Sequence, residues 1–505
     1  MNSVPDIFRI LPEVILTLTG VGVMLLDSIM PPRWARRPLG WVAAIGTTIA
    51  LWASLWQLSL PEGTAFSGTV ETSDFTVFFH VLICGIVLVA LLLSLDALPD
   101  ESHHQGEYYA LIVFGAVGMC LLTGAVELLL VFIALEISSI STYILVGYRK
   151  QTARGPEAAI KNFLLGSFAT AFLLYGIALI FGATGTTQIY EIAQRAASAQ
   201  NHLFIVAGLG LMLVGILFKV SAAPFHVWTP DVYEGAPSPV VALISTAPKA
   251  AAFALLLRVV YEMLPSEHAL WMPLLWVVAV LSMTVGNLAA LRQKNVKRML
   301  AYSSIAHAGY LLAAFAGLGS SGIAAASFYT AAYAAMNVGV FAVITLISGY
   351  DEERPLIEDF RGVIYRTPLL GSLLIFFLAS LVGIPFTGGF FGKLTVFSAA
   401  MGGNAVWLVL IGLLNSGLAA AYYLRLALVT AQKPVINGDA KSATPQVSPQ
   451  VGVAVGAALL LAVAATLVMG IVPGDVLRAA DQGAHTLEAP AAESSGNVVD
   501  PMMQP

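Results

Sequence analysis

Charge is what this sequence has least of. Asp, Glu, Lys and Arg make up only 10% of its 505 residues, against roughly 25% in a soluble domain. A water-soluble globular protein is thereby excluded, and no nucleic-acid partner is expected. Cysteine is nearly absent. Cys84 and Cys120 lie in separate apolar segments and form no CxxC pair, so they read as small buried hydrophobes and point to no disulfide, Fe–S cluster or other metal site. A dinucleotide fingerprint is missing too: Gly208-Leu-Gly210 is not followed by a third glycine and lies inside an apolar run. The first segment lacks a cationic start and a clear cleavage site and contains Glu13 and Asp27, which reads as a retained first span.

Apolar residues are abundant instead: 58% of the chain is hydrophobic and the mean hydropathy is +0.84. Runs of about 20 apolar residues, the length that crosses the hydrocarbon core, recur from end to end. They predict an all-α polytopic membrane protein of about fourteen transmembrane helices, near residues 10–30, 39–60, 75–96, 107–124, 126–148, 158–182, 203–227, 238–262, 271–291, 299–317, 322–349, 368–401, 405–430 and 450–471. Residues 1–106 hold helices 1–3, and 107–262 and 263–430 hold two blocks of five. A polar linker (431–449), a last helix (450–472) and a weakly ordered polar tail (473–505) follow.

Lysine and arginine set the orientation. With the N-terminus outside, the inner loops hold Arg33, Arg36, Arg37, Arg149, Lys150, Arg154, Arg292, Lys294, Lys297, Arg298, Arg354, Arg361, Arg366, Lys433 and Lys441, while the outer ones hold little beyond Arg9, Arg195 and Arg478. That asymmetry supports an even number of helices with both termini outside. The inner turn from Asp96 to Glu107 is acidic and His-rich, a local exception.

Of the 24 Lys and Arg residues, only Lys161, Lys219, Lys249, Arg258, Lys393 and Arg425 fall inside these spans. A charge at bilayer depth costs at least ~3 kcal/mol. Arg258 and Arg425 lie towards span ends, where snorkelling gives a structural role. Lys161, in the first turn of its span, is either a headgroup anchor or a proton-uptake group. Lys219, Lys249 and Lys393 have no such excuse. A buried lysine suits proton transfer because desolvation and a nearby carboxylate pull its proton affinity in opposite directions. The candidate carboxylate is Glu136, mid-span among apolar residues. His226 and His307 are either neutral proton carriers or hydrogen-bonded packing residues.

An internal echo points to a repeat. Ser138-Ser-Ile-Ser-Thr-Tyr143 returns 165 positions later as Ser303-Ser-Ile-Ala-His-Ala-Gly-Tyr310, and Ala223-Pro-Phe225 returns 161 positions later as Ile384-Pro-Phe386. Blocks of five spans at this offset must be inverted relative to each other, each with one broken helix, a recurring transporter plan. Lys219 precedes the break at Pro224, and Lys393 follows the break at Pro385. Lys249 is expected between them.

These residues carry a family resemblance. Lys219 followed by Phe225-His-Val-Trp-Thr-Pro-Asp-Val-Tyr-Glu-Gly-Ala-Pro-Ser-Pro-Val240, Ser245-Thr-Ala-Pro-Lys249, Arg298-Met-Leu-Ala-Tyr-Ser-Ser-Ile-Ala-His307 and Gly383-Ile-Pro-Phe-Thr-Gly-Gly-Phe-Phe-Gly-Lys393 resemble the antiporter-like membrane subunits of respiratory complex I, the bacterial NADH–quinone oxidoreductase. The Trp228-to-Pro237 run is most similar to the N-type branch rather than to M or L. The resemblance implies that Glu136 and Lys219 form a switchable pair, Lys249 is the central relay and Lys393 the terminal lysine. It places His307 on the connecting axis, and Lys161 and His226 near the inner uptake route. It implies partners among the other membrane subunits (A, J, K, L and M), an indirect link to the hydrophilic redox arm, and NADH, FMN, Fe–S clusters and quinone in those partners with no cofactor in this chain. A bacterial inner-membrane location with periplasmic termini follows. Pro248 departs from the family pattern; a proline there can shift the exit angle and local hydration of Lys249 while its helix stays intact with a kink. The rival readings are an Mrp-type cation/proton antiporter subunit and a non-transporting scaffold.

Overall fold

The structure, a computed structural model, describes residues 4–31, 34–98, 105–149, 152–317, 319–349, 354–434 and 451–488. Lys150, Arg33, Lys441, most of the polar linker and the end of the tail lie outside these residues.

A backbone in lipid must satisfy its own hydrogen bonds, and the long apolar runs do so as helices. Among the described residues, thirteen helices are long and apolar enough to cross a membrane. In chain order the elements are α1 (Leu11–Ile29), α2 (Arg37–Gln57), α3 (Asp74–Ala97), α4 (Gln105–Gly124), α5 (Leu128–Val146), α6 (Arg154–Thr184), α7 (His202–Lys219), α8 (Thr229–Gly235), α9 (Ser238–Ile244), α10 (Ala247–Leu257), α11 (His268–Leu291), α12 (Val296–Ala313), α13 (Gly319–Ser348), α14 (Pro368–Val382), α15 (Gly388–Gly402), α16 (Val406–Ala431), α17 (Val453–Ile471) and α18 (Gly474–Glu488). The expected span at 368–401 is two half-helices, α14 and α15, and it supplies the fourteenth run. The chain is an all-α polytopic membrane protein; its only strands among the described residues are a short antiparallel hairpin, Gly63–Ala65 with Val70–Thr72.

Small residues let helices approach closely. A methyl group at Gly176 or Gly208 would run into the facing backbone where α6 crosses α7. Burial is uneven, and this positions the site. Over an 18-residue apolar stretch of each, 94% of the residues in Ser238–Met263 and in Val296–Ala316 and 89% of those in Gly319–Ser348 are buried, against only 39% in Arg154–Thr184 and in Val406–Ala431. The first three form the interior; the other two leave flanks uncovered.

The loops gather on two faces. Val70 bridges to Ala125 and Glu127 to Gln188 on the hairpin face, while Asn295 bridges to Leu356 on the opposite face. The basic loops collect on that second face: Arg298 pairs with Asp231 and Glu234, and Arg36 with Asp27. Asp96, from the acidic turn, pairs with Arg37 and accepts from the Val455 amide.

Several expectations change. The tail does not start at 473: Gly474–Glu488 is a helix, because its apolar side packs on α3 and α13 and Glu488 accepts from the Ser320 amide. The first break spans 220–228, with Ser221 at φ 63° and a cis Ala223–Pro224 bond. The Lys249 span is also broken, at Ser245–Thr246, where Thr246 leaves helical geometry (φ −130°, ψ −69°). Pro248 therefore does not kink a continuous helix. It occupies the first turn of α10, where a missing N–H costs nothing. Beyond Leu257 the helix widens into a π-turn, Arg258–Met263.

Candidate functional site

Three lysines lie inside the bundle, each held by neutral oxygens. Lys219 ends α7 and donates to Ser139 Oγ at 2.6 Å, with the Tyr143 ring 5.2 Å away. Ser139 spends its own proton on the Leu135 carbonyl at 2.5 Å, so a lone pair faces the ammonium. Lys249, 4% exposed, donates to Ser304 Oγ at 2.5 Å. Tyr333 also donates to Ser304 at 2.8 Å, and the Tyr233 hydroxyl lies 3.1 Å from it. A serine hydroxyl has two acceptor positions and one proton, so these three partners saturate it.

Lys393 is 6% exposed and donates to Ser416 Oγ at 2.8 Å, Val382 O at 2.8 Å and Leu381 O at 3.2 Å. The two carbonyls are those that α14 leaves unpaired at its C-terminal end, the negative end of the helix dipole. The second break thus builds its own cation seat.

Between Lys249 and Lys393 lies His307, 1% exposed. Its Nδ1 is 2.7 Å from Tyr329 OH and its Nε2 is 3.1 Å from Tyr423 OH. Tyr423 also touches Ser303. Asn287 donates to Tyr310 OH at 3.1 Å and accepts from Tyr422 OH at 3.0 Å, and Lys393 Nζ sits 5.2 Å from the Tyr310 ring. An imidazole with both nitrogens engaged can take a proton on one and lose it from the other. Hydroxyls donate and accept, so the series can pass a proton.

Glu136 lies one turn before Ser139 on α5. Among the described residues no ion pair joins it to Lys219, nor any carboxylate to Lys249 or Lys393, and Glu136 Oε1 is buried without a partner. His226 sits in the first break, partly buried, with Nδ1 buried and unpartnered.

Lys161 is not in the first turn of its span, because α6 begins at Arg154. It pairs with Glu157 at 2.7 Å and with Asp231 at 2.8 Å on the basic face. Burial acts to raise the Asp231 carboxyl, but donation from Lys161 and Arg298 outweighs it and holds the group below the usual carboxylate range. Arg258 does not snorkel: it is fully buried and pairs with Glu71 and Glu262, each at 2.7 Å.

Sequence reasoning missed the hydroxyl and amide partners Ser139, Ser304, Tyr233, Tyr329, Tyr333, Tyr423, Asn287 and Ser416. One signal was available: the second serine of each Ser-Ser-Ile echo, Ser139 and Ser304, is the one that receives a lysine.

The sequence profile described as "NADH:quinone oxidoreductase/Mrp antiporter, TM" matches residues 125–419. The chain belongs to this family of membrane subunits. Among its members, a Koribacter versatilis protein named NADH-quinone oxidoreductase subunit N 2 is 48% identical over 95% of this chain and 97% of its own. A Trichlorobacter lovleyi protein named NADH-quinone oxidoreductase subunit N is 42% identical over 94% and 96%. Among solved structures, a chain of Thermus thermophilus respiratory complex I is 36% identical, covers 94% of this chain and 100% of its own, and has a TM-score of 0.76. A chain of the Mrp complex from Dietzia is 20% identical over 96% and 98% with a TM-score of 0.82, a likeness of fold alone.

Proposed function

We propose that this chain is the N-type proton-translocating subunit of the membrane arm of a bacterial NADH–quinone oxidoreductase, in the inner membrane with both termini periplasmic. One observation carries this: a series of lysines inside the bundle, Lys219 half-buried and Lys249 and Lys393 buried, held by neutral oxygens with no carboxylate ion pair among the described residues, runs between two uncovered flanks. An ammonium fixed by a salt bridge would be a poor carrier; one seated on hydroxyls and carbonyls can give up its proton.

Glu136 lies on one flank, on the α5 stripe of exposed Leu129, Ile133, Ile140 and Ile144. A neighbouring membrane subunit seated there could change the charge or position of Glu136, and with it the proton held on Lys219. The proton then passes to Lys249 and Ser304, along His307 and its tyrosines, and to Lys393. Ser416 lies on α16, whose other flank exposes Trp407, Leu410, Leu413 and Leu414. From Lys393 the proton leaves to the outer side. Lys161 and His226 serve uptake at the basic face, and the two five-helix blocks are inverted repeats. Subunits A, J, K, L and M are the expected membrane partners; NADH, FMN, Fe–S clusters and quinone belong to partner subunits, whose redox chemistry supplies the drive.

The test is Lys219→Ala in the assembled complex. Redox-driven proton translocation should fall; normal translocation by an assembled complex would sink the proposal. An Mrp-type reading, named in the family description, predicts recovery without flavin and Fe–S subunits when the tagged chain is purified in mild detergent.

A further inference from the structure

A second set of buried ionisable groups lies in the N-terminal helices, apart from the lysine series. Glu13 on α1 is 3% exposed and His80 on α3 is 1% exposed, and His80 Nε2 is 3.4 Å from Glu13 Oε1. Nε2 also lies 3.1 Å from the Cys120 carbonyl. A carbonyl only accepts, so Nε2 carries the hydrogen, and in the neutral ring Nδ1 is then a bare lone pair. Both Nδ1 and Glu13 Oε2 are buried and unpartnered. The pocket thus holds two orphan acceptors and no donor for them. With the imidazole neutral and the carboxylate ionised it carries a net negative charge, which a low-dielectric site disfavours. One added proton removes it.

The pair reaches the hairpin face through a chain of contacts. Thr123 donates to the same Cys120 carbonyl at 2.8 Å, and Arg258 Nε donates to the Thr123 carbonyl at 2.9 Å. Arg258 holds Glu262, on the π-turn, and Glu71, whose side chain is 16% exposed and accepts from Tyr190 at 2.8 Å. Among the described residues, the other titratable groups at the pair are the thiols of Cys84 and Cys120. Arg258 ends the helix that begins just before Lys249, so charge on that helix and occupancy of the pair can influence each other.

We propose that Glu13 and His80 share one transferable proton and form a second proton-holding site, apart from the lysine series, that exchanges with the hairpin face past Arg258 and Glu71. Uptake turns the carboxylate and neutral imidazole into a neutral overall pair; release returns the same proton to water, with nothing oxidised or reduced. This rests on the proton-translocation reading. The test uses Glu13→Gln, His80→Gln and the double variant in the whole complex, reconstituted in vesicles, with NADH-driven proton translocation followed from mildly acid to mildly alkaline pH. Each single variant should slow translocation several-fold and change its pH profile, the double variant should be no slower than either, and Glu13→Asp should retain most of the wild-type rate. Wild-type profiles in both single variants, or a double loss equal to the product of the two, would overturn the shared proton. If the glutamine variants fail to assemble, infrared spectra of the Glu13→Asp complex in H2O and D2O decide. A deuterium-sensitive protonated-carboxyl band should move relative to wild type, and an unchanged spectrum refutes the site. Normal pumping by Lys219→Ala would instead refute the parent reading, so the two failures are distinguishable.

Discussion

Ser304→Ala is the sharpest perturbation of the proposed relay. Ser304 Oγ is the one hydrogen-bond acceptor found for Lys249 Nζ among the described residues, at 2.5 Å, and Lys249 is buried with no carboxylate ion pair. Removing the oxygen leaves an ammonium beside two tyrosine hydroxyls, Tyr233 and Tyr333, that have lost their shared partner. A hydrogen bond to a charged group contributes about 1.5–3 kcal/mol, so the protonated state of Lys249 should become rarer by roughly 10- to 150-fold. If Lys249 is the central carrier, translocation slows in proportion wherever loading it limits the rate. The loss of one hydroxyl from a helix interior barely changes volume, so the complex should assemble. The assay is NADH-driven acidification of vesicles containing the purified complex, with native gels for assembly and Ser304→Thr as the hydroxyl-retaining control. Wild-type translocation by an assembled Ser304→Ala complex would show that protons do not pass through Lys249.

Further predictions follow from the same geometry. Lys219→Ala should lower redox-driven translocation on the order of 10²-fold, the usual worth of a positioned proton-transfer group, measured in the same vesicles. Arg258→Ala should destabilise the chain by about 3–5 kcal/mol by stranding the Glu262 carboxylate and the partly exposed Glu71; thermal melting in detergent should show the loss, and adding Glu71→Gln and Glu262→Gln should recover much of it. Gly389→Ala would push a methyl group into the Ser380 carbonyl and Met336 Sδ at the second break, costing about 1–3 kcal/mol and lowering the yield of assembled complex on native gels. The Asp231 ion pairs stabilise the fold fully above the ordinary carboxyl value of ~3.9, and that contribution is lost as pH falls through the lower folded value. Asp231→Asn should therefore flatten this part of the acid dependence of melting.

Residues whose cost is local show in the sequence; residues whose partners are distant do not. Lys219, Lys249 and Lys393 were legible because a cation in an apolar run is costly wherever the helix points, and the run of about fourteen spans followed from length and hydropathy alone. Arg258 was legible as an exception but misjudged, because nothing local reveals that Glu71, far away in sequence, will reach it. The third break, at Ser245–Thr246, was hidden for a different reason: Pro248 suggested a kink, and only the observed backbone places it in a first helical turn.

What the sequence by itself determined is the membrane class, the number of spans, the two principal breaks and the cations that the interior must accommodate. What only the tertiary structure decided is which neutral groups accommodate them. A helical serine can satisfy itself on the carbonyl one turn back, as Ser141 does on Ile137, and its neighbour Ser139 does the same while also receiving Lys219. The two are indistinguishable in one dimension. Which hydroxyl meets a lysine depends on how α5 and α7 rotate against each other, and that rotation is set by packing across the whole bundle.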